Sequence, residues 1–256
     1  MKITSATILF LLILCNTVFA EYKDPRDPNS LKYLQPEVGL LNDEKWKVDY
    51  EYEIKKAFDK ALNTDLCLKM VCLPSFQKEW LVGIKDDNNK KTVFLLTAKE
   101  HIWGYYLKKE KSSRLNSTVT QKAKEDSDKT IDIENKSIEI DSNTAELLSE
   151  VWTQMLLKTQ HTKNYRIGMD GANYHFYILG IGGQVWSPIK DTNTGRLVEI
   201  GELLADYVKA DVGKRKDILK TIQTKAEELQ KKLKDEESPQ PIPPTLPSPA
   251  GGEGKK

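Results

Sequence analysis

Four residues in one short stretch have the chemistry of an acid–base site: Arg166, Asp170, His175 and Tyr177. Along an extended chain alternate side chains share a face, so His175 and Tyr177 stand together, with Asp170 at the turn before them. An acid, a base and a hydroxyl in one exposed patch, with a guanidinium beside them, are parts of a hydrolase site. The set lacks a nucleophile and a metal ligand. Each member also has an ordinary role: Asp170 suits a turn, and the aromatic residues suit cross-strand pairing. The turn-and-pair reading is preferred.

The rest of the chain does not complete the set. His101 falls by a polar turn, and His161 falls at a helix end, where an imidazolium suits the helix dipole. There is no GxSxG elbow, no HExxH, no P-loop and no dinucleotide fingerprint. The glycines at 180–183 cannot cradle a phosphate, because strand-like residues and Pro188 follow them instead of a helix. No cofactor and no metal are expected. Lysine plus arginine number 39 against 38 for aspartate plus glutamate, and no basic patch alternates with aromatics, which argues against nucleic acid as a partner.

The two ends have their own character. Residues 1–20 carry a lysine, an apolar run and a small-residue pattern ending at Ala20, the grammar of a secretory signal peptide cleaved after Ala20. The apolar run is shorter than the roughly 20 residues a membrane span needs, and no later run reaches that length. Residues 237–256 are rich in proline and glycine and poor in large apolar residues, so they read as a disordered tail with polyproline II character. Two cysteines remain after signal removal, Cys67 and Cys72. In an oxidising compartment the pair invites a disulfide. Bridged Cα atoms lie about 4.4 to 6.8 Å apart, whereas five strand steps span about 16 Å. The bridge therefore requires a turn or a broken helix end between them, and Pro74 suits a chain reversal.

The elements that position these residues follow from periodicity. Residues 21–44, with three prolines, read as an extended arm. A helix begins near Asp49, with Tyr50, Ile54, Ala57, Phe58, Ala61 and Leu62 on one stripe. Strands are expected at 80–84, 93–96 and 102–107, the last from the alternation of Trp103, Tyr105 and Leu107. Residues 109–136 read as a flexible polar insertion, and 137–141 as an edge strand. Asn143 and Glu146 make a capping-box signal for a helix bearing Leu148, Trp152 and Met155.

Asp170-Gly171 is a hairpin-closing dipeptide. It leads into a strand that places Tyr174 and Phe176 on the core face and His175 on the open one. The glycines at 180, 182 and 183 break or bulge that strand, and a short strand follows at Val185 and Trp186. An amphipathic helix covers 200–208, and a last one covers 213–236, whose narrow stripe suits the domain edge or a partner seam.

The fold expected is α+β: an antiparallel sheet built from hairpins, with amphipathic helices packed on one face. It occupies 45–212, followed by the C-terminal helix and tail.

Trp152, Asp170, Gly171, Tyr174, Phe176, Trp186, Ser187 and Pro188 form a pattern: a tryptophan-bearing helix, a D-G-x-x-Y-x-F hairpin and a W-S-P strand end. Over about residues 147–208 the chain resembles a group of uncharacterised exported bacterial proteins. The resemblance implies a periplasmic setting and no particular activity.

Three functional expectations compete. The first is an exported, non-enzymatic protein that binds a partner protein or a small envelope ligand, with an inhibitor or immunity-like role within that class. The second is an envelope hydrolase using Asp170 and His175. The third is a structural or assembly factor acting through the C-terminal helix and tail.

Overall fold

The computed structural model describes residues 32–37, 49–63, 68–87, 90–115, 131–161 and 170–237. The arm contributes strand β1 (Gln35–Pro36), and helix α1 spans Asp49–Leu62. Three strands follow: β2 (Leu68–Pro74), β3 (Trp80–Asp87) and β4 (Lys90–Ala98). Helix α2 (Ile102–Leu115) precedes β5 (Ile133–Glu139) and helix α3 (Ser142–Leu157). Strands β6 (Ala172–Ile178) and β7 (Ile181–Trp186) lead to helices α4 (Asn193–Lys209) and α5 (Val212–Glu237).

The strands form one seven-stranded sheet in the order β1-β7-β6-β2-β3-β4-β5, antiparallel at every pairing. The α+β class and the antiparallel sheet are as expected, and both hairpin regions belong to that one sheet. The helices, however, divide between its two faces. On one face α3, α4 and α5 set Leu148, Trp152, Leu204 and Leu229 against Met70, Val82, Leu95 and Phe176. On the other, α1 and α2 set Ile54, Phe58 and Ile102 against Val71, Leu81, Phe94 and Tyr177. The expected single helical layer fails because β2, β3 and β4 carry apolar residues on both faces: Val71, Leu81, Phe94 and Leu96 lie opposite Met70, Val82, Val93 and Leu95. A strand apolar on both faces is buried on both.

Four local differences have physical causes. The turn expected between the cysteines is replaced by β2, near the centre of the sheet: the residues between them are extended and buried. From Leu68 to Cys72 the strand covers four steps, about 13 Å, which is beyond bridging range. Cys72 is a free, buried thiol, and Cys67 lies outside the described residues. Second, residues 102–107 are helical. Ile102 and Tyr106, one turn apart, face inward and Trp103 faces out, a spacing that the alternation across six residues concealed.

Third, Asp141, not Asn143, caps α3, its carboxylate accepting from Thr144 N at 2.8 Å. Fourth, of the three glycines only Gly180 breaks the strand. Leu179 and Gly180, both at positive φ, make the tight turn of the β6–β7 hairpin, and Gly182 and Gly183 are paired residues of β7. A β-hairpin of right-handed strands requires such a turn.

The ends of the expected 109–136 insertion are ordered, in α2 and β5, and residues 116–130 lie outside the described residues. The expected signal peptide, residues 1–20, lies outside them too, as does the expected tail beyond Glu237, which is itself the last residue of α5. The C-terminal helix offers no vacant seam. Its stripe of Ile222, Ala226, Leu229 and Leu233 is fully buried against α3 and α4. Gln223 donates to Thr144 on α3, and Lys225 pairs with Glu199 on α4.

Candidate functional site

Strand β6 carries the residues singled out from the sequence. Its pairing with β2 and β7 sets Asn173, His175 and Tyr177 on the α1 side. The rings of His175 and Tyr177 stack at 14°, with centroids 6.5 Å apart. The shared face is as expected, but it is not open: His175 is 3% exposed and Tyr177 2%. Asp170, in contrast, is exposed at the bend before β6. His175 lies three strand steps beyond Ala172, about 10 Å. The Asp170–His175 pair that the hydrolase reading requires is therefore not formed. Arg166 lies outside the described residues.

The partners of His175 are two residues that sequence reasoning did not find. Asn173 Nδ2 lies 3.0 Å from Nε2. With the amide donating, Nε2 accepts and the ring hydrogen sits on Nδ1. Nδ1 faces the Glu37 carboxylate of the arm at 3.6 Å, and Tyr177 donates its hydroxyl to the same oxygen at 3.3 Å. Burial, reinforced by the Glu37 carboxylate, pushes the Tyr177 phenol well above the usual tyrosine range. Asn173 was within reach of sequence parity, two residues before His175 on one strand face. Glu37 was not, since nothing in the arm's composition says where it docks. The group offers a substrate no opening. It pins the arm to the sheet through the Tyr177–Glu37 hydrogen bond and the Asn173–His175 contact, while His175 Nδ1 and Asn173 Oδ1 have no hydrogen-bond partner among the described residues.

A second buried carboxylate organises the opposite end of α1. Glu79, fully inaccessible, accepts from Ile102 N at 2.7 Å and Trp103 N at 3.0 Å, the first donors of α2 that a helix cannot satisfy internally. It also accepts from Tyr50 Oη at 3.0 Å, and His101 Nε2 stands 3.5 Å away. Tyr50, Trp103 and Tyr106 pack ring on ring above it, with Tyr50 and Trp103 edge to face at 4.9 Å. His161 is exposed beyond α3.

The D-G-x-x-Y-x-F and W-S-P residues hold the sheet end together. Gly171 has φ of 147°, and a Cβ there would collide with Ser187 Oγ. That hydroxyl accepts from Ala172 N at 3.0 Å. Pro188 and Tyr174 border a 420 Å³ recess against α4. Its carboxylates are already engaged: Tyr174 Oη donates to Glu202 at 2.8 Å, and Glu199 pairs with Lys225 at 2.9 Å. Burial pushes the Tyr174 phenol and the Cys72 thiol upward, the wrong direction for a nucleophilic thiolate.

A larger opening lies elsewhere, between α1 and the β4–β5 end of the sheet. It is a groove of about 790 Å³. Phe58, Phe94, Leu96 and Ile133 make its apolar floor, and Lys56, Lys60 and Lys85 stand on its rim with Asp59 and Asp132. It forms because α1 covers β2 to β4 but stops short of the edge strand. Its residues come from four separated segments, at α1, β3, β4 and β5, so no local motif announces it. Among the described residues no group of three or more His, Cys, Asp or Glu is placed to hold a metal ion.

The chain matches no protein-family model, and no curated protein or solved structure matches it.

Proposed function

We propose that the protein is exported to the cell envelope, most simply the periplasm, and acts there by binding a partner protein or a small envelope ligand, as an inhibitor or immunity protein does. The observation that carries this reading is the groove between α1 and β5, whose apolar floor and charged rim are the make-up of a binding surface. The secretory pattern of residues 1–20 supports the location, and no helix among the described residues is long and apolar enough to cross a membrane. The sealed position of His175, with Glu37 of the arm instead of Asp170 beside it, supports binding over hydrolysis.

The test uses the chain beginning at Glu21. It is assayed on ester, peptide and glycan panels and used as bait against solubilised envelopes. The expected result is no turnover and one saturable partner. Turnover that His175→Asn abolishes would overturn the proposal.

A further inference from the structure

We infer that two copies of this chain join edge to edge, β5 of one pairing antiparallel with β5 of the other about a two-fold axis at Asn135, so that their sheets become one. The inference does not depend on the binding role proposed above. Strand β5 ends the sheet, and among the described residues no strand pairs with its outer side. It matches β4 residue for residue from Ile133 to Glu139, with no bulge and no proline to blunt the edge. The opposite edge, β1, is only two residues long. Residues 134–137 are exposed on both faces of the sheet, so neither helical layer overhangs β5 there.

The register follows from which backbone groups are open. Ile140 N donates to Lys91 O at 3.0 Å, and Lys99 N donates to Asp132 O at 2.9 Å. The even-numbered residues of this segment therefore bond to β4, and the N–H and C=O groups of Ile133, Asn135, Ser137 and Glu139 point outward. Tyr207 closes the row at one end, its hydroxyl donating to Glu139 O at 3.1 Å. The row that stays open, Ile133, Asn135 and Ser137, is symmetric about Asn135. A second copy turned about that residue sets Ile133 against Ser137, Asn135 against Asn135 and Ser137 against Ile133, each as a hydrogen-bonded pair.

Charge selects the same register. Glu134 and Lys136 lie on one face of β5 and pair with each other along the strand at 2.9 Å. Centred on Asn135, the pairing places Glu134 opposite Lys136 of the second copy, and Lys136 opposite Glu134 of the second copy. These are the close, non-hydrogen-bonded positions, where cross-strand side chains meet. Each charge keeps its neighbour along the strand and gains another of opposite sign, so the four alternate around a square. A pairing centred on Lys136 would oppose two lysines, and one centred on Glu134 two glutamates, both unfavourable. Centring on Ser137 would call on the Glu139 carbonyl, which Tyr207 already engages.

Sedimentation velocity of the chain beginning at Glu21, over a concentration series, tests this together with residue-resolved amide exchange. The expected result is a monomer–dimer equilibrium. On dimerisation the amides of Ile133, Asn135 and Ser137 gain protection, while those of Glu134, Lys136 and Ile138, bonded to β4, are protected in both states. E134K alone and K136E alone should each weaken the dimer about tenfold or more, since each sets like charges opposite one another. Mixed together, the two variants should form a heterodimer, and E134K/K136E in one chain should dimerise as the original does. Asn135→Pro removes only an outward N–H, which an edge strand tolerates, and should leave a folded monomer.

A chain that stays monomeric at every concentration, a dimer that survives Asn135→Pro, or protection gained at amides other than those three would each overturn the inference. So would undiminished dimerisation of E134K, or failure of the two charge variants to pair with each other.

Discussion

The indole of Trp152 meets the ring of Phe176 edge-on, with centroids 5.6 Å apart and planes at 63°. Both side chains are wholly buried, one on α3 and the other on β6, and the indole N–H points to Lys69 O at 3.4 Å. The contact joins helix layer to sheet at a strand that also carries His175 on its reverse side. Phe176→Ala should therefore cost about 3 to 5 kcal/mol, the range for emptying an aromatic core site. Denaturant melts measure it, and a loss below about 1 kcal/mol would mean that the contact is not part of the core.

His175→Ala should also destabilise, by about 1 to 3 kcal/mol, because it empties a buried ring site stacked on Tyr177 and leaves the Asn173 amide without its imidazole acceptor. The same melts decide it. A neutral effect would contradict the buried placement of the imidazole.

Several phenols are held neutral by burial: Tyr50, Tyr174 and Tyr177 are all pushed above the usual tyrosine range, desolvation being the largest cause. A folded-state pKa raised above the unfolded value of about 10 favours the folded state fully below that pH and loses the benefit as pH rises beyond it. In an ultraviolet titration the three buried phenols should ionise only with alkaline unfolding. Ionisation of all of them near pH 10 while the fold persists would contradict their environments.

Cys72 should resist alkylation at neutral pH until the protein unfolds, since its thiol is buried and pushed upward by desolvation and only the thiolate reacts. Peptide mapping after labelling, with and without denaturant, reads this. Rapid native labelling of Cys72, or a Cys67–Cys72 cross-link in an unreduced digest, would contradict the extended path of β2.

Glu79→Ala should cost about 2 to 3 kcal/mol, as it removes a carboxylate cap and orphans two helix donors. Fluorescence of Trp103, 38% exposed above that carboxylate, should shift as α2 loosens, whereas Glu79→Gln should retain most of the stability. An unchanged melt for the alanine variant would remove Glu79 from its capping role.

These residues also show what the sequence made legible. Phe176 and Trp152 were readable because a period of two on β6 and a period near 3.6 on α3 each survive over a full element. Gly171 was readable as a glycine at positive φ, but Asp170-Gly171 is a bend before β6 and closes no hairpin among the described residues; the turn that joins β6 to β7 is at Leu179 and Gly180, where a leucine at positive φ disguises it. The six residues beginning at Ile102 were too few to separate alternation from a helical stripe. Cys72 drew attention as half of a disulfide, which obscured the buried strand it sits in. Glu37 and Glu79 were silent because their roles arise only when distant segments meet. The groove was silent for the same reason, its floor being divided among α1, β4 and β5.

The central claim is that the protein works by binding in that groove, and not through the buried face of His175. Retention of the envelope partner by two folded variants tests it most directly: Leu96→Asp, which puts a charge on the half-buried groove floor, and His175→Asn, which alters only the sealed polar group. The account predicts that Leu96→Asp releases the partner while His175→Asn holds it as the unmodified protein does. Loss of the partner with His175→Asn and its retention with Leu96→Asp would contradict it.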